Sequence, residues 1–125
     1  MTAWLAVGLG GFAGALARYA VSGWMHRWYG GFFPLGTLTV NVAGCLIMGF
    51  VMTLVELSEW GTPQLRLLVV TGFLGSLTTF STFGYEMFEL VRQGKSTLAL
   101  VSLATNVLLG VGGVLAGRML AMEVV

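Results

Sequence analysis

Charge is what this sequence has least of. Only 9% of its residues are charged and 57% are hydrophobic, whereas a soluble domain carries about 25% charged residues. That balance excludes an ordinary water-soluble domain and points to a chain that meets lipid. The net charge is +1, and no basic or acidic run occurs, so the electrostatic footprint of a nucleic-acid partner is missing. Cysteine is nearly absent too. Cys45 stands alone in an apolar stretch, which excludes a disulfide or a cysteine metal site within one chain and leaves a small buried hydrophobe. The one histidine, His26, has no second ligand nearby. There is no nucleophile–base pair, metal-ligand cluster or phosphate loop, so an enzyme is not expected.

What remains is one domain of 125 residues whose apolar stretches divide into four spans, at about 3–24, 35–57, 65–91 and 96–119. Each has the ~20 residues that a bilayer crossing needs. The first lacks a charged leading segment and carries small residues through its middle, unlike a cleaved signal peptide. In it Gly10 and Gly14, with Gly11 and Ala15 one residue on, have the small-xxx-small spacing that lets helix backbones approach. Arg18 is the odd residue there. It either snorkels to the interface or holds an anion or a polar partner at the foot of a vestibule.

Met25 to Pro34 reads as a loop whose Trp28 and Tyr29 fit an interfacial belt. In the second span Thr37 and Asn41 lie i, i+4 on one face, and an unpaired amide at Asn41 would be costly. Asn41 is therefore expected to meet another helix or a water-filled cavity. Glu56 and Glu59 read as solvated end residues. In the fourth span Ser102, Asn106, Gly110, Gly113 and Gly117 form one face of small or polar groups. That face is a close-packing seam, the wall of a polar path, or both at different depths.

The third span carries the stretch that organises the chain, TGFLGSLTTFSTFGYEMF from Thr71 to Phe88. Gly72 and Gly75 weaken a helix, and Ser76, Thr78, Thr79, Ser81 and Thr82 offer its backbone competing partners. The stretch reads either as a broken helix exposing carbonyls and hydroxyls to something that binds or passes, or as a kinked packing helix. Phe80 and Phe83, three residues apart, share a face. They are an ordinary packed pair, or two ring edges whose partial positive charge lines an anion path.

Four spans place both ends of the chain on one side of the membrane. Arg18, Arg27, Arg92 and Lys95 then oppose Arg66 and Arg118, a margin that hardly sets an orientation. Such a chain can insert both ways and pair with an inverted copy of itself. Four small helices also enclose little path alone, which makes a dimer attractive.

The segments GGFAGALARY (Gly10 to Tyr19), PLGTLTVNVAG (Pro34 to Gly44) and TGFLGSLTTFSTF (Thr71 to Phe83) closely resemble the Fluc/CrcB family of fluoride channels, over essentially the whole chain. The resemblance implies an all-α membrane protein of four transmembrane helices with a broken third helix. It also implies an antiparallel, dual-topology homodimer in the inner membrane of a prokaryote, exporting fluoride through two pores. By the same carry-over Phe80 and Phe83 are ring-edge contacts along those pores, with Asn41 a polar contact beside them. Gly75 and Thr78 supply backbone carbonyls from both subunits to a central structural sodium ion. Thr37, Ser81, Thr82, Ser102 and Asn106 extend the polar track. One departure matters: many family members carry a hydroxyl where this chain has Gly110.

Fluoride is strongly hydrated, so a selective path must replace its water with hydroxyl and amide donors, whereas a fixed Lys or Arg in the narrow part binds too tightly. Two other readings stand beside the channel. A dimeric, proton-coupled small-molecule exporter needs an acid deep in a span. The first span has none, and Glu56, Glu86 and Glu89 lie toward span ends. A structural membrane subunit needs only that the 71–88 hydroxyls cap a kink.

Overall fold

The computed structural model describes Met1–Val125, and every regular element in it is helical. We number them α1 (Ala3–Trp28), α2 (Leu35–Ser58), α3, α4 (Phe80–Arg92) and α5 (Ser96–Val124). Helix α3 joins three pieces: Pro63–Arg66, a π-helical run Leu67–Leu74, and a closing turn Gly75–Leu77. Taken as spans, Ala3–Trp28, Leu35–Ser58, Pro63–Arg92 and Ser96–Val124 are all long and apolar enough to cross a membrane. The protein is a multi-pass membrane protein.

The span ends differ from the sequence expectation at two places. Helix α1 continues past Trp24 to Trp28, through His26 and Arg27. Cations in a last turn face the negative end of the helix dipole and favour that extension. Helix α5 runs beyond residue 119 to Val124. Apolar runs mark the lipid-crossing part of a helix, and α1 outlasts it; α5 is carried on by the helix formers Leu120, Ala121 and Met122, with Ala121 buried.

Local chemistry fixes the helix ends. The Thr2 and Thr62 hydroxyls accept from the N–H groups of Leu5 and Leu65, at 3.3 and 3.2 Å. Pro63 occupies the first turn, where a missing N–H costs nothing. Helix α4 stops at a left-handed Gly94, φ 74°. There the Lys95 N–H bonds the Leu90 carbonyl at 2.7 Å and the Gly94 N–H bonds Val91 at 3.0 Å, which is the Schellman arrangement.

The helices run up and down. Lys95 Nζ lies 3.9 Å above the Phe32 ring, tying the α1–α2 and α4–α5 loops together at one end. At the other end Arg118 bonds Glu56 at 3.0 Å. Between these ends only 20 of 125 residues are buried, so most large apolar side chains face outward, as lipid contact requires. Val40, Leu74 and Leu77 form the inner cluster, with Ala17, Val21, Met48 and Phe73 around it.

Lipid tails are as apolar as leucine, so these helices associate by close packing rather than by exclusion of water. Two glycine seams supply it. Helix α1 lies on α3 where a Cβ on Gly10 would strike the Leu68 carbonyl and one on Gly14 the Phe73 carbonyl. Helix α2 lies on α5, where Gly49 faces the Val114 carbonyl and Gly117 the Leu46 carbonyl. The fourth-span stripe thus divides by depth. Gly110, Gly113 and Gly117 are buried in the α2 seam, while Ser102 and Asn106 belong to a polar cluster.

Candidate functional site

Between α3 and α4 the backbone is extended at Thr78 (φ −82°, ψ 155°) and Thr79 (φ −149°, ψ 119°). In a continuous helix the N–H of Thr79 would reach the Gly75 carbonyl, that of Phe80 the Ser76 carbonyl, and that of Thr82 the Thr78 carbonyl. None of these is made. The Thr79 N–H goes to Asn41 Oδ1 at 2.9 Å, and the Thr82 N–H to Thr79 Oγ1 at 3.2 Å. The Ser76 carbonyl instead accepts Arg18 Nε at 2.9 Å. The carbonyls of Gly75 and Thr78 lose their helical donors, and Gly75 is exposed on the surface of the chain. These are hard oxygens of the kind that suit an alkali cation better than a transition metal.

Asn41 braces the extended pair from α2. Its Oδ1 takes the Thr79 N–H, and its Nδ2 donates to the Thr79 carbonyl at 3.2 Å and to Asn106 Oδ1 at 3.0 Å. Asn106 Nδ2 in turn donates to the Ser102 carbonyl at 2.9 Å. Both amide hydrogens of Asn41 are therefore used within the protein.

Phe80 and Phe83 stand with ring centroids 5.8 Å apart, tilted by 47°. Phe83 is buried at 8% exposure, whereas Phe80 is 83% exposed. Both border an open cavity of about 270 Å³ whose other walls are Asn41, Thr78, Thr79, Asn106 and Val107. The resemblance set the two rings, Asn41 and Asn106 along one expected path; in the structure these four side chains line one space. Val107 was not foreseen, and follows from its place beside Asn106.

Thr37 and Thr82 border a second cavity of about 170 Å³ with Ser22, His26, Tyr29 and Glu86. Thr37 is buried and its hydroxyl donates to Glu86 Oε1 at 2.6 Å. Glu86 Oε2 is buried without a partner. The sequence reading placed Glu86 among span-end acids; its position six residues into α4, within reach of Thr37, shows only once the helices are assembled. Ser81 and Thr82 are exposed, on the first turn of α4. Ser102 is wholly buried beneath Asn106. Arg18 lines neither cavity: it is half-buried against the end of α3. No group of three or more His, Cys, Asp or Glu side chains is positioned to hold a metal.

The class that fold and site define is a small multi-pass helical membrane protein with an irregular, hydroxyl-rich segment inside its third span and an asparagine pair from the second and fourth spans beside it. The family described as "CrcB-like protein, Camphor Resistance (CrcB)" matches residues 5–118, and the chain belongs to that family. Relatives include the "Fluoride-specific ion channel FluC" of Maridesulfovibrio salexigens, 40% identical over 96% of this chain and 98% of its own length. Proteins of the same name from Geotalea daltonii, 44% identical over 82% of each chain, and Methanococcus aeolicus, 40% identical over 96% and 95%, are similar to it as well.

Proposed function

We propose that the protein is a fluoride channel and not an enzyme. It would pass fluoride down its electrochemical gradient across the cytoplasmic membrane of a prokaryote and so lower the cellular concentration. The observation that carries this reading is the cavity that puts the Phe80 and Phe83 rings beside the Asn41–Asn106 amides at a break in a membrane span. An anion there meets positive ring edges and the N-terminal end of α4, whose first N–H groups have no intrahelical acceptor. It meets no fixed cation that would hold it.

The path lies on a protomer surface, with Phe80 and Gly75 exposed, and needs a second copy to close it. We therefore read the working unit as an antiparallel homodimer with two pores. Gly75 and Thr78 would offer their freed carbonyls from each copy to a central sodium ion, which when bound supplies a fixed positive field beside the path. Ser81 and Thr82, exposed and hydroxyl-bearing, extend the track toward the Thr37–Glu86 end, and Ser102 supports Asn106 from beneath.

The test replaces Phe80 or Phe83 by Ile, which keeps much of the volume and removes the ring edge. Liposome fluoride efflux is expected to fall sharply while size-exclusion behaviour stays that of the parent. Folded, dimeric variants with parental efflux at both positions would reduce the pair to packing.

One observation favours a second reading. The unpartnered Oε2 of Glu86 is the intramembrane acid a proton-coupled exporter would use. Strict one-for-one proton coupling would support it; efflux indifferent to a proton gradient would remove it.

A further inference from the structure

We propose that Arg18 is a positioning residue for the Gly75–Thr79 segment rather than a ligand for the permeating anion. Its Nε donates to the Ser76 carbonyl at 2.9 Å across 58 residues of sequence, at the carbonyl whose helical donor, the Phe80 N–H, is drawn away. The contact continues the seam between the two helices. Gly11, Gly14 and Arg18 follow i, i+3, i+7 on α1. A Cβ on Gly11 would lie 3.3 Å from Ser76 Oγ, and one on Gly14 would meet Phe73. Arg18 is therefore delivered to the end of α3 by the packing of α1, and its side chain leans back toward that level as helical side chains do.

The chemistry suits the place. The end of α3 presents unpaired carbonyls and the negative pole of its dipole, which a guanidinium stabilises from outside the helix. With Asn41 holding Thr79 from α2, Arg18 holds the other side of the extended pair from α1. Two helices thus fix the two sides of one irregular turn, and the directions of the Gly75 and Thr78 carbonyls with it.

The first measurement uses the parent protein in lipid bilayers: solid-state NMR dipolar recoupling between Arg18 Nε and the Ser76 carbonyl carbon. A resolved short coupling is expected; its absence overturns the proposal. The second compares Arg18→Met with Arg18→Lys. Arg18→Met is expected to shift the Ser76 carbonyl resonance, speed amide exchange at Thr79 and Thr82, and lower fluoride efflux by about tenfold, the loss of one charge-assisted hydrogen bond. Arg18→Lys, which keeps a cationic donor, is expected to restore much of all three. Lost efflux with an unmoved Ser76 resonance would assign Arg18 to the ion and overturn the proposal. Only the efflux arm rests on the fluoride reading; the resonance and exchange arms stand if the protein carries a different solute.

Discussion

Asn41→Ala removes the most from the candidate site for one substitution. The side chain makes three hydrogen bonds, two to the backbone of Thr79 and one to Asn106. Interhelical hydrogen bonds in membranes average about 0.6 kcal/mol each, so the three sum to about 2 kcal/mol. The Thr79 N–H and carbonyl would also be stranded half-buried, which adds about 1 kcal/mol or more. The expected loss is about 3 kcal/mol, with the extended pair as the first part to loosen. Asn106→Ala gives up one bond to Asn41 and its own bonds to Ser102 but leaves Thr79 braced, and is expected to cost about 1 kcal/mol. Reversible unfolding in bicelles, with amide exchange at Thr79, measures the difference. Equal losses for the two variants, or an unchanged Thr79 amide in Asn41→Ala, would refute the reasoning.

Gly14→Ala places a methyl against the Phe73 carbonyl, and backbone cannot yield as a side chain can. A loss of about 1–3 kcal/mol is expected, with Gly117→Ala behaving likewise against Leu46. Gly112→Ala, whose Cβ meets nothing within 4 Å, is the control and is expected to be neutral or stabilising by up to about 1 kcal/mol from helix propensity, read in the same unfolding assay. Sodium-free buffer is expected to abolish efflux reversibly, and anomalous density is expected between the Gly75 and Thr78 carbonyls of paired subunits. Unchanged efflux without sodium, with water alone in the map, would remove the cation.

The four spans were legible because lipid imposes a simple demand, long apolar runs interrupted by polar loops. The Gly10–Gly14 seam was legible for the same reason, since only small residues let membrane helices approach. The π-helical run Leu67–Leu74 was not. Leu67 to Val70 are ordinary aliphatics and Gly72 signals only a weakened helix, not its form; what is unusual is the α1 backbone pressed against Leu68 and Phe73. Thr37 and Asn41 were rightly placed on one face of α2, but a face does not name a partner. Thr37 turns to Glu86 and Asn41 to Thr79 because the third span passes both. Arg18 was open between the interface and an anion or polar partner for a similar reason: the Ser76 carbonyl becomes available only when the local ladder is not made. At this site the partners are backbone atoms freed by conformation, and residue types do not display those.

The central claim is tested most directly by the parent protein in sealed liposomes. Fluoride loaded inside should leave rapidly on addition of a potassium ionophore that dissipates the membrane potential, while chloride from matched liposomes stays. Passive conduction predicts that this efflux continues without ATP and without a proton gradient. Fluoride retained to the same extent as in protein-free liposomes, or chloride leaving equally fast, would contradict the account.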